Sequence, residues 1–166
     1  MAASETDALL HNAERYAERF DPAAAGPAAP ARRVAVLACM DARIDPAALL
    51  GLRAGDAHVI RNAGGVVTDD VIRSLAISQR KLGTEEVVVI QHTGCGLMSF
   101  DDDEFARELE RDAGERPGWG AGTFADLEAN LRASVARIRE SPFLPHTDRV
   151  RGFVYDVESG ALREVA

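Results

Sequence analysis

The segment VAVLAC, at residues 34–39, is a run of five apolar residues that ends in a cysteine. A continuous apolar run of this length is typical of a β-strand that is covered on both faces, as the strands of parallel sheets are. The segment VVVIQ, at residues 87–91, has the same character and lies shortly before the second cysteine, at residue 95. We therefore interpret both segments as buried strands of a parallel sheet.

Strands and helices alternate along the rest of the chain. Further strands are predicted at residues 57–60 and 151–157, with a short final strand at 161–165, and helices at residues 68–82, 101–113 and about 127–138. Such an order favours parallel strands that are joined by helical crossovers. The sequence thus predicts an α/β fold with a mainly parallel sheet of four strands plus a short edge strand, and with helices on both faces.

Residues 7–20 place their apolar side chains on one stripe of an amphipathic helix. A connector rich in alanine and proline follows at residues 21–30 and ties this helix loosely to the rest of the chain. The helix needs an apolar surface to cover its stripe, either on its own subunit or on a partner. We interpret the chain as a single domain of 166 residues, with the helix and connector at residues 1–30 and an α/β core at residues 31–166.

The charge and hydropathy of the chain exclude several classes of protein. The formal net charge is −8 at pH 7, which argues against binding to nucleic acid or to an anionic membrane, because either needs a basic surface. No apolar stretch has the length of a membrane span, and the first residues lack the positive charge and apolar core of a signal peptide. We therefore expect a cytoplasmic protein with neither a nucleic-acid nor a membrane partner.

The two cysteines and one histidine form a candidate metal site. Cys39 ends the first buried strand, and His92 and Cys95 follow the other one. In open α/β sheets ligands bind beyond the carboxyl ends of the strands, so these side chains converge if the two strands are neighbours. Two thiolates and one imidazole supply three ligands to zinc and leave a fourth position open, as in catalytic zinc sites. The alternatives are buried apolar cysteines, a redox pair or a disulfide, and a core histidine.

Asp41 and Arg43 follow the first cysteine at alternate positions. If the chain stays extended there, both side chains point the same way and face the metal together. A carboxylate in this position would orient an attacking oxygen, and an arginine would hold the carboxylate in place and keep it ionised. The alternative is that Asp41 only caps a turn and that Arg43 only pairs with it.

Three motifs together resemble those of the β-class carbonic anhydrases. They are CMDAR at residues 39–43, RNAGG at residues 61–65 and HTGCG at residues 92–96, and the resemblance covers residues 30–160. It implies that the chain catalyses the reversible hydration of carbon dioxide to bicarbonate and a proton. The related carbonyl sulfide hydrolases share the key residues, so hydrolysis of carbonyl sulfide is the alternative activity.

The resemblance also implies a role for each motif residue. Cys39, His92 and Cys95 would hold one zinc ion per chain, and Asp41 and Arg43 would be catalytic. The family's active sites lie at subunit interfaces, with the N-terminal helix over the partner. We therefore expect a homodimer or a higher homo-oligomer that acts on a small-molecule substrate.

The RNAGG motif is expected to line the substrate pocket through Asn62, Gly64 and Gly65, although it can equally be only a loop between a strand and a helix. Two positions depart from relatives in the family. Val36 stands where bicarbonate-regulated members have a tryptophan, and Pro30 where plant-type members have a substrate-binding glutamine. The resemblance therefore gives no basis for expecting inhibition by bicarbonate, and it does not indicate what orients the substrate.

Overall fold

The computed structural model describes residues 4–22 and 26–166 of the chain, with a five-stranded sheet at its centre. The strands are β1 (Val34–Cys39), β2 (Ala57–Asn62), β3 (Glu86–His92), β4 (Val150–Tyr155) and β5 (Leu162–Glu164). They stand in the order β2-β1-β3-β4-β5, the first four parallel and β5 antiparallel to β4. The predicted sheet of four parallel strands plus a short edge strand is confirmed.

Five α-helices connect and flank the strands in the described parts of the chain. They are α1 (Glu5–Ala17), α2 (Pro46–Leu50), α3 (Asp69–Leu82), α4 (Asp102–Ala113) and α5 (Leu127–Arg139). The sequence predicted all of these except α2. This short helix begins at the N-cap Asp45, whose carboxylate accepts hydrogen bonds from two backbone N–H groups, and ends at Gly51 in the left-handed conformation. Five residues are too few to show a helical period, which is why the pattern did not predict it.

The main core lies between the sheet and helices α3 and α5. Leu37 and Val89 of the sheet pack there with Leu75 of α3 and Leu131 of α5, and all four are fully buried. The opposite face of the sheet carries a smaller buried cluster around Val36, Ala38 and Ile90, against which leucines of α2 and of the residues after it pack. The continuous apolar run of β1 is therefore explained, because it is covered on both faces.

Helix α1 stands apart from this core. It begins at Glu5 and ends at Ala17, a few residues before the predicted limits, and a capping box between Ser4 and Asp7 fixes its start. None of its residues is buried, and Leu9 and Tyr16 on its apolar stripe are 66% and 63% exposed. Residues 23–25 of the predicted connector lie outside the described residues. Within the described ranges, no helix combines the length and the hydrophobicity needed to cross a membrane.

Candidate metal centre

The carboxyl ends of β1 and β3 bring the three candidate ligands together. These strands are neighbours in the sheet. The chain passes from β1 to β2 on one side of it and then crosses to β3 on the other side, so the strand order reverses at this point. Cys39 and His92 are the last residues of their strands, and a turn through Gly94, at φ 62°, returns the chain to Cys95. The two sulfur atoms and an imidazole nitrogen lie within 4.8 Å of one another. The predicted convergence is confirmed.

The burial and hydrogen bonding of these side chains fit a metal ion. Cys39 and Cys95 are 4% exposed and both are free thiols, so the disulfide alternative is wrong. Nδ1 of His92 lies 2.9 Å from the backbone carbonyl of Thr93, which makes Nδ1 the N–H donor and leaves a lone pair on Nε2. Nε2 is buried and has no hydrogen-bond partner among the described residues. Such an orphaned group costs about 1–3 kcal/mol unless something binds it, and a zinc ion held by Cys39, His92 and Cys95 would do so.

The electrostatics of the site favour a thiolate at Cys39. Burial alone raises the pKa of this thiol, but the neighbouring His92 side chain and hydrogen bonds from the backbone N–H groups of Asp41 and Gly64 outweigh burial and bring the pKa down to about 7. Burial raises the pKa of Cys95, and the neighbouring Cys39 adds to that rise. A thiolate is the form that binds metal, so the surroundings of Cys39 favour its metal-binding form.

Asp41 and Arg43 meet through a turn rather than along an extended strand. The strand ends at Cys39, and the backbone N–H of Arg43 donates to Oδ1 of Asp41 at 2.9 Å. The Arg43 guanidinium then grips both carboxylate oxygens, at 2.9 and 2.7 Å, and reaches the Gly94 carbonyl at 2.9 Å. The condition of an extended chain is not met, because the side chain of Asp41 accepts a hydrogen bond from the backbone two residues further on, in a turn. The predicted pairing of the two residues is nevertheless present.

The Asp41 carboxylate lies beside the candidate ligands. Its Oδ2 atom is 3.7 Å from Nε2 of His92. The hydrogen bonds from the Arg43 side chain and backbone hold the pKa of Asp41 well below its usual range, against a small opposing effect of burial. An ionised carboxylate, held in a fixed orientation, therefore faces the position that a metal would occupy.

The RNAGG motif brings backbone close to the same strand ends. Asn62 is the register partner of Cys39 in the sheet, and Gly64 and Gly65 have φ angles of 77° and 60°. A Cβ atom on Gly65 would lie 2.8 Å from the Ile90 carbonyl oxygen and 2.9 Å from the Cys39 nitrogen. Only glycine suits this approach. Asn62 donates from Nδ2 to the Val66 carbonyl at 2.8 Å, while its Oδ1 atom is buried without a bond to any described group.

A cavity of about 530 Å³ opens onto the candidate metal position. Asp41 and Asn62 line its inner end, and Leu97, Phe105 and the 63% exposed Trp119 form apolar walls further out. The sequence predicted no role for these apolar residues, because they come from three separate segments that only the fold brings together. The arrangement suits a small uncharged molecule that must reach a buried metal.

Comparison with known proteins agrees with the geometry. The sequence model of the family described as "Carbonic anhydrase" matches residues 34–119. The chain is 48% identical to β-carbonic anhydrase 1 of Mycobacterium tuberculosis over 96% of its own length and 97% of that protein. It is 37% identical to a carbon disulfide hydrolase of Acidithiobacillus thiooxidans over 80% of its length and 76% of that protein.

The solved structures give the same result. The crystal structure of a carbonic anhydrase from Streptococcus mutans is 42% identical to this chain and superposes with a TM-score of 0.91, and the match covers 100% of both chains. Sequence similarity and fold similarity therefore extend over the whole α/β core and the residues that surround the candidate metal centre. The chain belongs to the β-carbonic anhydrase family.

Proposed function

We propose that this chain is a zinc-dependent carbonic anhydrase that interconverts carbon dioxide and bicarbonate, with Cys39, His92 and Cys95 as the zinc ligands. The observation that carries the proposal is the buried imidazole of His92, whose Nε2 has no hydrogen-bond partner among the described residues and which has a ring nitrogen within 4.8 Å of two free thiols. β-Carbonic anhydrases bind zinc, and the donor set here matches that metal. When bound, zinc lowers the pKa of water and supplies a nucleophile near neutral pH.

Asp41 acts as the group that orients the attacking water. As an ionised carboxylate it only accepts hydrogen bonds, so it directs a water lone pair toward the carbon of the substrate. Arg43 positions Asp41, because its bonds to both carboxylate oxygens and to the Gly94 carbonyl prevent rotation. The same bonds tie the segment after β1 to the turn that carries Cys95.

The cavity suits both sides of the reaction. Its apolar walls at Leu97, Phe105 and Trp119 admit uncharged carbon dioxide without a cost in lost hydration. Bicarbonate carries one O–H donor, and the buried Oδ1 of Asn62 is an acceptor without another partner among the described residues. We therefore assign Asn62, with the close backbone at Gly64 and Gly65, to the substrate pocket.

Carbon dioxide is proposed as the main substrate in preference to carbonyl sulfide. The chain is more similar to a carbonic anhydrase, at 48% identity, than to a carbon disulfide hydrolase, at 37%. We expect zinc-loaded protein to hydrate carbon dioxide far faster than it hydrolyses carbonyl sulfide, in parallel measurements of proton release and of sulfide release at equal substrate concentration. A higher kcat/KM for carbonyl sulfide would reverse the assignment.

We propose a homodimer in which α1 of each protomer covers apolar surface on the other. The exposed stripe of α1 has no cover within the described residues, and a lone apolar stripe of that size is unusual on a monomer. One apolar groove that it can meet lies between α3 and α5 and is lined by Ile72, Ala76 and the exposed Phe143.

A cytoplasmic location fits the proposed zinc site, because a reducing compartment keeps Cys39 and Cys95 available as ligands.

Deletion of residues 1–20 is expected to weaken this assembly, since it removes the apolar stripe. The single change Leu9→Asp should act in the same direction, and His11→Asp, which adds the same charge on the opposite side of the helix, should not. Light scattering at micromolar concentration measures the dimer fraction of each variant. A monomeric wild type, or a deletion variant that dimerises as well as the wild type, would contradict the proposal.

A further inference from the structure

We propose that Arg61 is a positioning residue that fixes the segment from Cys39 to Asp41 against the neighbouring strand. This inference rests on the proposed function of that segment. Arg61 lies in β2, and its guanidinium donates three hydrogen bonds to backbone carbonyls. Nε and Nη2 donate to the Cys39 carbonyl at 3.0 and 2.7 Å, and Nη2 also donates to the Asp41 carbonyl at 2.8 Å.

The place of these bonds explains their importance. The pairing of β1 with β2 ends at Cys39 and Asn62, and the N–H of Met40 makes the last backbone bond, to the Asn62 carbonyl at 2.8 Å. Beyond this point the sheet no longer holds the chain, although Asp41 still has to be placed accurately. Arg61 takes over from the strand pairing at this position, because it binds one carbonyl on each side of Met40.

Two arginines thus hold the same segment from different sides. Arg43 donates hydrogen bonds to the carboxylate of Asp41 and the carbonyl of Gly94, whereas Arg61 donates to the backbone carbonyls of Cys39 and Asp41. Only a planar guanidinium offers several donors in a fixed fork, and a lysine ammonium cannot reproduce that geometry. Arg61 is also an exposed residue of the edge strand β2, and an exposed arginine without these bonds would remain hydrated and mobile.

The expected consequences concern the metal as well as the reaction. Loss of Arg61 frees the main chain on both sides of Met40, so the thiolate of Cys39 and the carboxylate of Asp41 both lose their fixed positions. Arg61 is not among the described residues that line the substrate cavity. Its removal should therefore lower kcat and speed the release of zinc, while KM changes little.

The test compares Arg61→Met, Arg61→Lys and Arg61→Ala with the wild type. We expect Arg61→Met to release zinc to a chelator about 10- to 100-fold faster and to lose a similar factor in kcat, the range typical of groups that orient metal ligands. Arg61→Lys should lie between Arg61→Met and the wild type. The absorption of the cobalt-substituted protein should change in Arg61→Met, because the thiolate ligand is no longer held in one geometry.

Chemical rescue provides the sharpest control. Guanidinium ion at low, non-denaturing concentration should restore part of the zinc retention and kcat of Arg61→Ala, where it can fill the gap, but not those of Arg61→Met, where the methionine side chain fills it. Arg132→Met is the matched control, because Arg132 is an exposed arginine that pairs with Glu128 on α5, outside the site. It should behave as the wild type in every measurement.

Several outcomes would overturn the proposal. Zinc release and kcat of Arg61→Met equal to the wild-type values would do so, and so would a decrease equally large in Arg132→Met. If Arg61→Met fails to fold, Arg61→Lys with wild-type zinc release would count against it. Zinc release is measured without substrate, so it tests the positioning role independently of the proposed function. If the wild-type protein had no activity on carbon dioxide but Arg61→Met still released zinc faster than the wild type, the positioning role would be upheld and the proposed function rejected.

Discussion

Replacement of Cys39 or Cys95 by serine is expected to remove zinc and turnover together. Each change leaves two of the three proposed protein ligands, and a serine hydroxyl is not deprotonated near neutral pH and does not replace a thiolate. The zinc content should fall from about one per chain to near zero, and carbon dioxide hydration should approach the uncatalysed rate. Elemental analysis after dialysis and stopped-flow measurement of proton release determine the two quantities on the same samples.

The two serine variants must be distinguished from simple unfolding. Both cysteines are almost fully buried, so a hydroxyl there adds a cost of its own. Ala38→Ser is the matched control, because Ala38 is the fully buried neighbour of Cys39 in the same strand and is not a proposed metal ligand. Circular dichroism shows whether Ala38→Ser is folded, and the folded variant should keep zinc. Stoichiometric zinc in both folded cysteine variants would refute the ligand assignment.

The hydrophobic pattern of the sequence predicted the strands and the longer helices, and it also predicted that the candidate ligands converge. β1 and β3 are continuous apolar runs, and the positions of Cys39 and His92 at their ends follow from strand direction alone. Side chains of Asp41 and Arg43 that face the same way were predicted on the condition that the chain stays extended, and that condition is not met. Alternation holds only while a strand continues. The strand ends at Cys39, and beyond it the side chain of Asp41 accepts a hydrogen bond from the N–H of Arg43 in a turn.

Contacts between distant segments could not be predicted in this way. Arg61 acts across two strands through its side chain, and its three bonds depend on where the β1–β2 pairing stops. Phe105 of α4 and Trp119 of the loop after α4 line the same cavity as Cys39 and Cys95 only because the fold brings these separate segments together. Neither a period nor a local motif carries such information.

Replacement of Asp41 or Arg43 is expected to lower turnover without loss of zinc, unlike replacement of a metal ligand. Asp41→Asn keeps the size of the side chain but replaces one acceptor oxygen with an N–H₂ donor, which also faces the donors of Arg43. We expect zinc content to stay at about one per chain while kcat falls by about 10²–10³, the range found when one preorganised polar group is removed. Arg43→Ala should behave similarly, because Asp41 would lose both of its guanidinium bonds.

The pH dependence gives this prediction its sharpest form. Arg43 lowers the pKa of Asp41, so Asp41 stays ionised from neutral pH to well below pH 6, given an ordinary aspartate pKa of about 3.9. Protonation of Asp41 therefore does not set the acid limit of the wild-type profile, and Asp41→Asn should lower the height of the profile without moving it along the pH axis. Asp70→Asn, which breaks an exposed Asp–Arg pair on α3, is the matched control and should leave both height and position unchanged.

Wild-type turnover in Asp41→Asn would show that the pair only shapes the turn. An abrupt loss of wild-type activity below about pH 8, together with a structure at low pH in which Asp41 has left Arg43 for the metal position, would show instead that the site closes on itself.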